Sequence, residues 1–225
     1  MRIIFWGSER ESCVTSNMLI LAGYFACQRG YRICLVESLN EKRKINSLFP
    51  GRRKRYVQRK IETLLLYQLY YVQVNECIDA NMLTYLETNM DMVFLNLANR
   101  TDREARELMH NADLLVVNLK QERKAFDTFY AEYANLSARI FLLIGNYYED
   151  GHCDKEQLRS KYDIAETRLG VIPNNPEYEI ACEKGQIGRY LKKCNPRYMS
   201  AIKTVFMQEV EKSAELLYQN IGVIG

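Results

Sequence analysis

Six short runs of the chain are apolar on both faces instead of alternating: "RIIFW" (2–6), "YRICLVE" (31–37), "MVFLNL" (92–97), "DLLVVNL" (113–119), "RIFLLIG" (139–145) and "RLGVI" (168–172). A strand with that pattern must be covered on each side, which is the condition of strands in a parallel sheet with helices on both faces. Helical stretches separate the runs. The order therefore predicts an α/β fold, a doubly wound and mainly parallel β-sheet flanked by helices. A further strand is expected at "LYYVQV" (69–74), ahead of a helix from about Ala80 to Glu87. With 225 residues, 48% of them hydrophobic, the chain is read as one domain over residues 1–225.

Two helices are legible from 3.6-residue spacing and stop signals. One, about Thr15 to Arg29, is apolar on nearly all sides and ends at Gly30, as a buried helix with a glycine terminator does. The other, over 197–218, follows Pro196 and places Met199, Ile202, Phe206, Val210 and Leu217 on one stripe. Its opposite face mixes charge signs, which suits docking on the sheet better than lying on lipid. The aromatics Phe126, Phe129, Tyr130 and Tyr133 recur at helical spacing and suit either a core face or an interface.

Seven cysteines, an odd number lying far apart, are expected to be unpaired thiols, and no zinc-ligand spacing occurs beside the two histidines, so no metal site is expected. No run of eighteen apolar residues exists and no signal-type N-terminus is seen, so a cytoplasmic chain without an integral membrane segment is expected. The net charge of +3 hides an uneven distribution. Residues 41–60 hold nine Lys or Arg against Glu41, a local balance of +8, which leaves 22 basic and 27 acidic groups, or −5, on the rest. Arg52, Arg53, Lys54, Arg55, Arg59 and Lys60 in that segment could meet DNA, anionic lipid or an acidic protein surface, or form a solvated face.

Between the first strand and the first helix lies "GSERESCVTSN" (7–17), the place of a phosphate-cradling loop in a nucleotide-binding protein. Such a loop needs glycines, because its backbone approaches the phosphates closely with positive φ, and a lysine to neutralise their oxygens. This one has one glycine, two glutamates and no lysine.

Strand, loop, long buried helix and then "RGYRICLVE" resemble the opening of the MinD/ParA family of deviant P-loop ATPases. Later segments are similar to that family in the same order: "DMVFLNLANR" (91–100) to its Walker B strand, "ADLLVVNLKQE" (112–122) to the next core strand, "FLLIGNYY" (141–148) to the strand ending in Asn, and "LGVIPNNPEYEIACEKGQIGRYL" (169–191) to its closing strand, Pro-containing loop and helix. Within the family, "VTSN" before an apolar helix resembles the altered loops of the CpaE- and TadZ-like pilus-positioning branch.

The resemblance places the nucleotide site at Ser12, Cys13, Val14, Thr15 and Ser16, with the adenine near Asn146, Pro173 and Asn174. It sets Glu9 at the signature lysine, Arg10 and Glu11 at two glycines, Cys13 at a third, and Val14 at the catalytic lysine; an alternative alignment anchored on Asn17 sets Glu11 there. Asn96 falls at the Walker B carboxylate. Glu37 survives from the acidic pair after the second strand, while Leu39 replaces its partner. Thr15 or Ser16 could offer a hydroxyl to magnesium or simply cap the helix. Phosphoryl transfer depends on positioning and charge compensation, so these losses together are expected to abolish efficient hydrolysis. The resemblance thus implies a homodimeric pseudo-ATPase with no catalytic residue and at most weak ATP or ADP binding, serving a protein partner in a bacterial assembly or partition system. Two alternatives stand beside it: non-specific DNA or acidic-surface binding through 41–60, and an ATPase whose loop uses an unconventional cation such as Arg10.

Overall fold

The computed structural model describes residues 1–38, 56–57, 61–64, 69–74, 78, 80–133, 135–151, 153–193, 206, 208 and 210. Nine strands form one sheet: β1 (Arg2–Gly7), β2 (Ile33–Ser38), β3 (Tyr56–Val57), β4 (Ile61–Leu64), β5 (Leu69–Val74), β6 (Met92–Ala98), β7 (Leu114–Leu119), β8 (Ile140–Tyr147) and β9 (Leu169–Pro173). Their order is β3-β4-β5-β2-β6-β1-β7-β8-β9. From β5 to β9 every neighbouring pair is parallel, while β4 runs antiparallel to β5 and β3 to β4. All seven runs expected to be strands are strands. The sequence reading did not foresee β3 and β4, which fall in and just after the basic segment.

Helices α1 (Val14–Gln28), α2 (Ala80–Asn89), α3 (Arg103–His110), α4 (Arg123–Tyr133), α5 (Lys155–Lys161), α6 (Pro176–Glu183) and α7 (Ile187–Lys193) cover the sheet. The all-round apolarity of α1 has a physical reason, because it lies between the sheet and α7. Met18, Leu19, Leu21, Ala22 and Phe25 are buried, in one core layer with Phe5 and Phe94 of the sheet and Leu191 of α7. Gly30, at φ 74°, ends the helix, and the Tyr31 N–H returns to the Phe25 carbonyl in the manner of a glycine-terminated helix. The second core layer lies on the opposite face, where Trp6, Val36, Leu95 and Val117 meet Phe126, Phe129 and Tyr133 of α4. Of the two readings of those aromatics, the core one holds: Phe126, Phe129 and Tyr133 are buried.

Of the helix expected over 197–218, Phe206, Gln208 and Val210 are helical, and the two apolar ones are buried against the α1 layer. The rest of it lies outside the described residues. So do Arg52, Arg53, Lys54, Arg55, Arg59 and Lys60. Cys13, Cys27, Cys34, Cys153 and Cys182 are not joined in disulfides. Among the described residues no group of His, Cys, Asp or Glu could hold a metal ion, and no helix is long and apolar enough to cross a membrane.

Candidate functional site

β1 is the pivot of the topology. The chain leaves it outward to β2, returns at β6 on one side, and continues from β7 to β9 on the other. At such a switch point the loops diverge and leave a crevice beyond the carboxyl ends of the strands, where doubly wound proteins bind ligands. The 8–13 loop emerges there, directly ahead of α1.

Three of the buried runs carry one polar residue near this edge: Glu37 on β2, Asn96 on β6 and Asn118 on β7, all at most 2% exposed. Sheet register brings them together, since Glu37 pairs with Asn96 and Gly7 with Asn118. The first turn of α1 completes two webs of hydrogen bonds. In one, the Asn96 amide donates to Thr15 Oγ1 at 2.9 Å and to Glu37 Oε1 at 3.5 Å, while its oxygen accepts from the Ala98 N–H at 2.9 Å. Tyr71 donates to the other carboxylate oxygen of Glu37 at 3.0 Å. In the second, Asn17 donates to Asn118 Oδ1 at 2.8 Å, and the Asn118 amide donates to the Trp6 and Val116 carbonyls at 3.1 and 3.3 Å. A buried polar group without a partner costs about 1–3 kcal/mol, which explains why each amide in these webs has its complement.

The loop above the webs is closed on itself. Ser12 is 3% exposed and its hydroxyl donates to the Glu9 carbonyl at 3.0 Å. A Cβ on Gly7 would collide with Ser12 Oγ and stand 2.8 Å from Val14 Cγ2, so the one glycine of the stretch is needed to let the loop fold back over β1. Gly145 plays the same part from β8, where a Cβ would meet Asn17 Nδ2 at 2.7 Å and Cys13 Cβ at 2.8 Å. Glu11 and Cys13 take φ of 64° and 60°, left-handed conformations that favour glycine. The backbone thus keeps a path suited to glycines at two of the positions where the resemblance sets them, although neither residue is one.

The residues expected to bind nucleotide are brought to one edge, each with its own engagement. Ser12 fills the loop, Cys13 precedes the first turn of α1 without capping it by its side chain, and Val14 is buried under the loop. Thr15 accepts from Asn96, and Ser16 is hydrogen-bonded to Tyr178 of α6. Asn146 is exposed at φ 50°, where β8 breaks register, and Pro173 pairs with Tyr147. The Asn174 N–H donates to the Tyr147 carbonyl at 2.9 Å. Asn175 instead caps α6, accepting from the Glu177 and Tyr178 N–H groups. Burial pushes the Cys13 thiol up, and Glu179 and Glu11 add to the rise while Lys120 opposes it. Burial also raises the Tyr178 hydroxyl. Neither group is disposed to ionise near neutrality.

Sequence reasoning missed Asn17, Asn118 and Tyr71 as members of this site, along with Lys120 at the end of β7. A signal for Asn118 was present. "MVFLNL" and "LLVVNL" place an Asn at the same penultimate position of two otherwise apolar strands.

A magnesium triphosphate does not fit these residues as they stand. The loop interior holds Ser12, and no lysine points to the edge from the loop itself. Glu9, Glu11 and Glu179 outnumber Arg10 and Lys120 around it. Asn96 is the informative position. A carboxylate there would face Glu37 at about the 3.5 Å that now separates donor and acceptor, a spacing at which two carboxylates need a cation or a shared proton between them. An amide removes that need.

No family model matches the sequence, and no curated protein matches it closely. Solved structures do match. The chain is similar to MinD in the MinC:MinD cell division complex of Aquifex aeolicus, with a TM-score of 0.67 at 13% identity, over 92% of this chain and 96% of that one. A ParA family ATPase from Chlorobium tepidum aligns with a TM-score of 0.65 at 10% identity, over 93% and 97% of the two chains. MinD from Pyrococcus horikoshii, solved with Mg-ADP, aligns with a TM-score of 0.63 at 14% identity, over 96% and 98%. At these identities the likeness establishes the fold: this chain has the α/β architecture of the MinD and ParA ATPases.

Proposed function

We propose that this chain, built on the MinD/ParA fold, is a pseudo-ATPase that works by binding, as a dimeric positioning or scaffold subunit of a bacterial assembly or partition system similar to the pilus-localisation branch. One observation carries the reading. The hydrogen-bond web of Asn96, Thr15, Glu37 and Tyr71 completes itself with protein groups at the edge where the Mg-ADP-bound MinD of Pyrococcus horikoshii has the same fold. The Walker B position is an amide, the loop lacks lysine, and Ser12 closes it. Hydrolysis would need a charge-compensating cation and a positioned water, and these residues supply neither.

Calorimetric titration with ATP and ADP, with and without magnesium, tests this together with the mass in solution. Binding weaker than about 100 μM, equivalent to about 5.5 kcal/mol, and a mass indifferent to nucleotide are expected. Magnesium-dependent turnover that is lost in Arg10→Ala or Lys120→Ala would overturn the reading and favour an ATPase with an unconventional cation.

A second reading concerns residues 41–60, which carry +8 and contain β3, the outermost strand of the sheet. The concentrated positive charge of this segment suits non-specific DNA, with Arg52, Arg53, Lys54, Arg55, Arg59 and Lys60 as the contacting groups. Neutralising six phosphates would give a slope of about −5 in log affinity against log salt, and a flat dependence excludes it.

A further inference from the structure

α6 and α7 pack against each other and bound a groove of about 260 Å³ on the outer side of the α1 layer. Ile180, Ala181 and Tyr190 form its wall, and Lys184, Arg189 and Lys193 stand around it, with Glu177 as the lining carboxylate. Its inner side is already used: Tyr178 and Ala181 of α6 and Leu191 of α7 are buried in the core layer. The hairpin is also held in shape before any ligand arrives, because Asn175 caps α6 and donates through its amide to the Tyr190 hydroxyl.

The cations around this groove lack ion-pair partners among the described residues, as do Arg10, Arg123 and Lys124 elsewhere on the surface, but here three of them share one groove. Arg2, Arg32, Arg100 and Arg159 each hold a carboxylate, whereas Lys184, Arg189 and Lys193 make no ion pair among the described residues. Beside them Ile180 is 47% exposed, one of three large exposed apolar side chains among the described residues. Exposed cations gathered around an exposed aliphatic side chain complement a ligand that is acidic and apolar at once.

We infer that the α6–α7 groove docks a short acidic amphipathic segment of a partner protein, with an apolar side chain against Ile180 and Ala181 and carboxylates toward Lys184, Arg189 and Lys193. Small-molecule sites enclose about 70–90% of the ligand, but Lys184, Arg189, Lys193, Glu177 and Ile180 are exposed, so the occupant lies along the helices and not inside a cavity. A peptide helix or strand does so and reads both features, through an apolar anchor and flanking charges. A nucleic-acid backbone would gain nothing from Ile180 and would meet Glu177. Preorganisation of the hairpin lowers the ordering cost that such short segments must overcome.

The test is selection of short random displayed peptides on the immobilised full chain, followed by affinity measurement of the enriched sequences. The enriched peptides are expected to share two or more carboxylates and one Leu, Ile or Phe. Reversal of the rim charges in K184E/R189E, and separately I180E, should weaken them by about tenfold or more, and added salt should weaken binding to the unaltered chain. All three positions are exposed, and unchanged melting temperatures confirm the fold; K184Q/R189Q serves if the reversal does not fold. Enrichment without acidic residues, binding indifferent to both variants, or no enrichment at all overturns the proposal. Competition by millimolar inorganic phosphate also overturns it, in favour of a small-anion site. None of these readouts involves nucleotide, so their failure leaves the pseudo-ATPase reading standing, and the reverse.

Discussion

The two edges of the sheet solve the same problem with different chemistry. At the amino edge, where β1, β2 and β6 begin, charged side chains pair at half-buried or exposed positions. Arg2 pairs with Glu87 at 2.7 Å, and Arg32 with Asp91 at 2.9 Å, where the arginine side chain is 49% exposed. At the carboxyl edge, amides and hydroxyls are buried with Glu37 and pair with one another. An exposed ion pair contributes about 0–1 kcal/mol, because solvent screens it and holding two long side chains costs entropy. A buried hydrogen bond is modest in net value too, but removal of one partner strands the other, at about 1–3 kcal/mol. The carboxyl edge is therefore the brittle one.

Asn96→Asp probes that difference most strongly. It sets a second carboxylate beside Glu37, and two unit charges about 4 Å apart repel by about 4 kcal/mol at an effective dielectric near 20. A loss of about 2–4 kcal/mol in denaturant unfolding at pH 7 is expected. Its pH dependence has a definite sign. One carboxylate of the folded variant titrates above its unfolded value of about 4, so the variant matches the original chain in acid and falls behind as pH rises. If magnesium restored the lost stability, the web would still be a metal cradle and the contrast between the edges would fail.

Asn118→Ala comes next. It leaves the Asn17 amide and the Trp6 carbonyl without their partner, and a loss of about 2–3 kcal/mol is expected. A loss under about 0.5 kcal/mol would mean that water replaces the amide and that the edge is wetter than its burial implies.

Glu11→Gly acts in the opposite direction. Relief of the left-handed strain at φ 64° is worth about 1–2 kcal/mol and the added chain entropy about 0.5–1, so a net gain of about 0.5 kcal/mol is expected. Destabilisation would show that the glutamate side chain contributes something to the closed loop. Asp91→Asn should have the smallest effect, a few tenths of a kcal/mol. The Arg32 hydrogen bond lowers the Asp91 carboxyl below its ordinary value, so its contribution is present above about pH 4 and disappears in more acid solution. Stability profiles of the variant and the original should therefore converge toward pH 2. A large effect at pH 7 would erase the distinction drawn between the edges.

The fold was legible from the unalternating runs because burial on both faces permits no other polarity pattern, and a parallel order followed from the helices between them. The β3–β4 extension was not legible. Its strands span two and four residues within or beside a run dominated by charge, where periodicity has no length to express itself. The loop after β1 was legible as a candidate site, and so were the residue types it carries, Glu9, Glu11 and Val14 with Asn96 beside them. What replaces the missing chemistry was not. Asn17 meets Asn118 across 101 positions of sequence, and Thr15 meets Asn96 across 81, so only the sheet register could disclose that the orphaned positions satisfy one another.

The place of β1 in the sheet has a consequence for how the chain is made. β1 lies inside the sheet, and its neighbours, residues 92–98 and 114–119, follow it far along the chain. Nothing nearby can shelter it, whereas β4 and β5 pair as soon as both exist, and β2 closes on β5 across fewer than forty residues. At a synthesis rate of about 5–20 residues per second, the apolar helix α1 and the strand before it wait several seconds for their partners. The emerging chain is thus most prone to self-association during that interval, and closing β1 between β6 and β7 is the long-range step expected to set its folding rate.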